Sequence, residues 1–384
     1  MTAIMKYDEL ANLADDPREM FQEVAQALVA AGELHRLFDL RLLQERHRHG
    51  LPLDRRTPID DVEEPLRSQV EAGYLAACRE VGELFLESGR LREAWMYLRP
   101  AGDKFSIRHR LAAVVLDDDR ADELIELALF EGIDPERGYA WLLGRNGTCN
   151  SITTLDGMSQ QLDAADVRAC AGVLLRHVYR ELHGNLRGHY HKLKGTAPPN
   201  TLSVGQLIEQ TPELLAGGNY HLDVSHLQST VRYARLLTDP TLVTKAFEIA
   251  DYGSRLPADL QYPGEAPFED LFAAHRRWFG AILGRDAEEA IRYFGDKARA
   301  GGEDPRNSAA VETLLTLLLR LNRPDDALAA YGELVTKERE LSPSAPTLLE
   351  LARASGGWEQ YESICRERDD LLGFAAGLLA RKSS

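Results

Sequence analysis

The sequence predicts an all-α chain, a helical-hairpin repeat array with a divergent, histidine-rich helical region in its middle. Three observations predict it. Ala, Leu, Glu and Arg are abundant and β-branched alternation is scarce, so local propensity favours helix along most of the chain. Helix-length segments come in pairs punctuated by Gly or Pro. A similar spacing of small and large apolar residues returns near both ends.

The first pair is expected from Pro17 to about Ala31 and from Glu33 to about His49, with Gly32 between them and Gly50 and Pro52 closing the second. Helix is expected to resume near Asp61. In VGELFLESGRLREAWMYLRPAGD, Gly82 and Phe85 precede a turn at Ser88-Gly89, and Ala94, Leu98 and Ala101 follow it. Toward the C-terminus the spacing reads Trp278, Ala281, a break at Gly284-Arg285, Ala290 and Phe294. It then reads Leu315, Leu318, a break at Asn322-Arg323-Pro324, Ala327, Tyr331 and Leu334. A last pair is expected at Pro346 to Ala354 and Trp358 to about Leu379, split by Ser355-Gly356-Gly357.

These units resemble tetratricopeptide repeats, in which two short antiparallel helices meet through small residues. The resemblance departs from the family in two places. The two C-terminal units lie 37 residues apart, and Trp278 and Leu315 stand where a small residue opens the first helix. It implies an α-solenoid whose concave groove receives a protein or peptide partner.

Composition narrows the classes. The 384 residues suffice for two or three domains or one elongated array, and 44% apolar content supports a large core. The net charge of -16 disfavours nucleic acid and anionic membranes as partners. Cys78, Cys149, Cys170 and Cys365 form no Cys-x-x-Cys pair, so neither a disulfide framework nor a thiolate zinc site is expected, and a reducing compartment is. The N-terminal MTAIMKYDELANLADD lacks the basic start and apolar core of a signal peptide, and Leu314 to Leu321 is far too short to span a bilayer. A cytoplasmic protein is the expectation.

Three regions follow: hairpins over residues 1–140, a central region over 141–240 and hairpins over 241–384. From Trp141 to Asp239 the chain holds six of its eleven histidines and is near neutral, with nine Lys and Arg against eight Asp and Glu. A helix is expected there from about Ala164 to Lys194, capped by Asp163. Its apolar stripe runs Val167, Cys170, Leu174, Val178, Leu182, Leu186, Tyr190 and Leu193. Arg176, Arg180, His183, Arg187 and His191 form a basic ridge opposite, which reads either as an anion or partner site or as a solvated face.

His177 and Glu181, four residues apart, share one side of this helix at the border of the stripe. In Tyr220-His221-Leu222-Asp223-Val224-Ser225-His226, Asp223 or Ser225 caps a helix to about Leu237, with Gln228 completing a box for Ser225. Convergence of His177, Glu181, His221, Asp223 and His226 would make a site for a divalent metal such as zinc or manganese. That site has two uses: a metal-dependent hydrolase with Glu181 or Asp223 as ligand or general base, or a structural metal or anion staple. Cys149, on an expected turn at Asn146-Gly147, is a candidate nucleophile. Histidines held by a capped helix, without a ligand, are the competing account. Phosphate-cradling glycine motifs are absent.

Overall fold

A computed structural model describes residues 7–54, 62–300, 308–337 and 339–382. Among these there are helices and no strand. In order they are α1 (Tyr7–Ala11), α2 (Pro17–Ala30), α3 (Leu34–Arg48), α4 (Leu66–Glu87), α5 (Leu91–Leu98), α6 (Lys104–Ala112), α7 (Ala121–Ile125), α8 (Pro135–Met158) and α9 (Ala164–Lys194). Then come α10 (Val204–Gln210), α11 (Val224–Ala234), α12 (Pro240–Ser254), α13 (Leu271–Ile282), α14 (Ala287–Ala300) and α15 (Ala309–Arg320). The last are α16 (Pro324–Leu334), α17 (Leu348–Ser355), α18 (Trp358–Glu367) and α19 (Leu371–Lys382). The expected resumption of helix near Asp61 falls outside the described residues. No described helix is long and apolar enough to cross a membrane.

The chain forms two compact units, Met1–Arg145 and Asn146–Ser384. In the first, α2 packs on α3, α3 on α4 and α4 on α5. Leu37, Val81, Phe85, Leu91, Leu98 and Ile107 are fully buried between them. The α4–α5 contact depends on Gly82: a Cβ there would sit 2.6 Å from Leu98 Cγ and 3.4 Å from the Ala94 carbonyl oxygen. The small residue at this position therefore sets how closely the two helices approach.

In the second unit each helix from α11 to α19 packs on the next in chain order. The long α9 lies against α10, α11 and α12. Asp163 caps it by accepting from the Asp166 amide, and Gly195 ends it in the left-handed conformation at φ 73°. Its stripe is buried from Val167 through Leu186, but Leu193 is exposed.

The expected helix from Trp358 to Leu379 is two helices. Asp369 adopts φ 57° between α18 and α19, and the Asp370 carboxylate accepts from the Gly373 amide to start the second. A short polar run with aspartates can stop a helix without Gly or Pro, because Asp tolerates this conformation and caps readily.

Candidate functional site

Four residues of α9 spaced by four, His177, Glu181, Asn185 and His189, form one row along the helix. Two networks meet this row. At the first, α8 presents Thr148, which is buried. Gly147 breaks the helical path just before it, at φ 75° and ψ 172°. The carbonyls of Asn146 and Gly147 are recovered by Asn150 Nδ2 at 3.1 Å and Ser151 Oγ at 2.8 Å.

Thr148 Oγ1 lies 3.0 Å from His177 Nε2 and donates to Glu181 Oε2 at 3.3 Å. The hydroxyl has one proton, and it goes to the carboxylate. His177 must therefore carry its proton on Nε2 and donate it to Thr148. Glu181 also faces that same nitrogen, at 3.5 Å. In a nucleophile–histidine–acid triad the acid and the hydroxyl address opposite ring nitrogens. Here both address Nε2, so Glu181, not His177, is the group placed to accept a proton from Thr148. Replacing Thr148 with Val is expected to cost about 1 kcal/mol, because His177 and Glu181 are part-exposed and recover water as a partner. Urea unfolding measures it, and an unchanged midpoint would show that the network contributes nothing to the fold.

The second network lies twelve residues further along α9, about 18 Å by helical rise. His189 Nδ1 is 2.8 Å from His221 Nε2, and Asn185 Nδ2 donates to the His221 carbonyl at 2.7 Å. The Tyr252 hydroxyl, fully buried on α12, accepts from the His221 amide at 2.8 Å and lies 3.1 Å from His221 Nδ1. The tautomer that gives every proton here a partner has Tyr252 donating to His221 Nδ1. His221 then donates from Nε2 to His189. The chain of donors requires His221 to be neutral. Burial, then the neighbouring His189, hold it so, with a pKa lowered to about 4. Burial also pushes the Tyr252 phenol up to about 12.

The five residues expected to converge on a metal are thus distributed. His177 and Glu181 meet at Thr148, and His221 meets His189, which lies outside the expected set. Asp223 caps α11, accepting from the Ser225 amide at 2.8 Å and from its hydroxyl at 2.7 Å. It takes the role weighed for Ser225, so no box forms with Gln228. His226 sits in the first turn, its Nδ1 buried without a hydrogen-bond partner. Among the described residues no group of three or more His, Cys, Asp or Glu side chains is arranged to hold a metal ion.

Cys149 is exposed, in helix rather than on an open turn, and no described side chain bonds its thiol. The basic ridge is divided too. Arg187 donates to the carbonyls of Pro199 at 2.8 Å and Pro198 at 3.0 Å and to Asn200 Oδ1 at 2.6 Å, and His183 Nε2 donates to the Leu202 carbonyl at 2.8 Å. These two hold the segment after α9 against the helix. Arg176, Arg180 and His191 remain exposed.

A cleft that the sequence did not announce lies along α12, α13 and α14, with α10 lining its second lobe. It has two lobes of about 440 and 510 Å³ that share Phe247, Asp251, Arg255, Arg276 and Arg285. The buried Asp251 carboxylate binds Arg276 Nε at 2.6 Å and Arg255 Nη2 at 2.7 Å. The guanidinium carbons of Arg285 and Arg276 lie 4.6 and 5.4 Å from the centre of the Phe247 ring. Only the i, i+4 series Phe247, Asp251 and Arg255 is local; Arg276 comes from α13 and Arg285 from the turn after it. No family model, curated protein or solved structure matches the chain.

Proposed function

We propose that this chain is a helical-repeat binding protein whose second unit receives a segment of another protein. The observation that carries the reading is the cleft itself. The consecutive helices α12, α13 and α14 wall one lobe, and α10 faces α12 across the other, leaving an open two-lobed space within the range of ligand-sized sites. Arrays of this kind expose such surfaces because each hairpin contacts only its neighbours. The close approach at Gly82 supports a tetratricopeptide-like character for the hairpins. The acidic balance disfavours nucleic acid and anionic membrane as partners. We place the protein in the cytoplasm, a reducing compartment suited to the buried thiols of Cys78 and Cys365.

The test is photo-crosslinking in cells, with a benzophenone amino acid installed at Gln206 or Thr244, which line the cleft, and at Arg353 on α17, which does not. A defined protein adduct from Gln206 and Thr244, missing from Arg353, is expected. No adduct at all, or the same adduct from all three positions, would remove the reading.

A further inference from the structure

We propose that the cleft selects a peptide segment with an acidic residue at its centre and a basic residue on either side. This rests on the peptide-binding reading above and names the chemistry of the partner.

The wall shared by the two lobes carries three guanidiniums, those of Arg255, Arg276 and Arg285, against the single carboxylate of Asp251. Asp251 engages one nitrogen of Arg255 and one of Arg276, which fixes their direction and leaves most of their N–H groups unused. Among the described residues the Arg285 guanidinium has neither an ion pair nor a hydrogen bond; it rests on Phe247. The turn that presents it is tight, with left-handed backbone at Gly284 and Asp286 on its two sides. A planar fork resting over a ring, with its donors unspent, is suited to a carboxylate arriving in its plane.

The lobes differ from this wall in sign. The first adds Asp286 and the pair Arg277–Glu289, joined at 3.4 Å. The second adds Glu209 and Glu248. Glu248 is bonded by two neutral donors, the Tyr179 hydroxyl at 2.6 Å and the Ser203 hydroxyl at 2.6 Å, so its charge is not cancelled. Burial and then this carboxylate push the Tyr179 phenol above its ordinary range. Along the cleft the surplus charge therefore runs negative, positive, negative. A uniformly acidic ligand meets repulsion at both ends and from the net charge of -16. A segment with a central Glu or Asp between two Lys or Arg residues is attracted at long range and matched at each position.

The experiment is selection of phage-displayed random nonapeptides on the immobilised full chain, followed by retention of the winners on Arg285→Ala and on Asp286→Asn combined with Glu209→Gln. Winners carrying an acid flanked on both sides by Lys or Arg are expected. Retention should fall about tenfold on Arg285→Ala, a loss of one tenfold step in affinity, and about threefold on the double variant. Circular dichroism checks that these variants stay folded. Enrichment of all-acidic or purely apolar sequences, no enrichment, or retention unaffected by Arg285→Ala would overturn the proposal. If crosslinks still form from Gln206 and Thr244 while the selected peptides lack this pattern, the charge assignment fails and the binding reading stands. If crosslinks fail as well, both go.

Discussion

Lowering the pH from 7 to 4 is expected to destabilise the second unit by several kcal/mol, and His275 is expected to carry the largest share. Its ring is buried on α13, stacked on Phe268 at 4.3 Å between centroids, with Nδ1 donating to the Leu271 carbonyl at 2.7 Å. Nε2 is buried with no partner. Burial first, and then the like charge of Arg235, lower its pKa from 6.5 to about 3. In the unfolded chain the imidazole takes up its proton near its ordinary value, whereas the folded chain refuses it. The unfolded state thus binds more protons below pH 6.5. The stability is complete above that pH, is lost as pH falls toward 3, and changes no further below it.

At about 1.4 kcal/mol per unit, the ceiling for this one residue is on the order of 5 kcal/mol. His221 acts in the same direction between 6.5 and about 4, with a smaller effect because it is only half-buried. The measurement is urea unfolding of the chain at a series of pH values, beside His275→Phe. The variant should have a visibly shallower acid limb. If both proteins lose stability in parallel, His275 is not the source.

Substituting Gly82 with Leu is expected to cost the first unit on the order of 3 kcal/mol. A Cβ alone at this position falls 2.6 Å from Leu98 Cγ, and both helices are committed to the core at this point. Overpacking of such a contact forces a backbone shift or a strained rotamer. Gly82→Ala is milder, since improved helix propensity of about 1 kcal/mol offsets part of the clash. Adding Leu98→Ala to Gly82→Leu separates the clash from any other cause. The pair should be markedly less harmful than the two single losses added together. Strict additivity in thermal or urea unfolding would mean that Leu98 is not what the new side chain meets.

Much of the architecture was legible because its signals are local. Asp163 and Gly195 mark the two ends of α9, and an aspartate before an apolar period and a glycine after it are read within one turn. The first hairpin, Pro17–Ala30 and Leu34–Arg48, lies within a residue or so of its expected bounds for the same reason. Pairs within one helix were also legible: His177 and Glu181 do lie together. What could not be read was contact between helices distant in sequence. His189 meets His221 across 32 residues and His221 meets Tyr252 across 31, and no spacing rule encodes either. The arginines of the cleft likewise come from the end of α12, from α13 and from the turn after it. A stripe of apolar residues also says nothing of where its covering partners end, so Tyr190 and Leu193 continue the period beyond the part of α9 that is buried.

The segment after α9, Gly195 to Leu202, has the composition of a linker that proteases cut: small, polar and with two prolines. Arg187 and His183 bind four of its oxygen atoms to the side of α9. A protease must draw an extended strand of several residues into its active site, and a segment fastened to a helix from Pro198 to Leu202 cannot be drawn out without first breaking those bonds. Two basic side chains thus tether a stretch of linker composition to the flank of α9, and opening it to a protease means giving up those four bonds first.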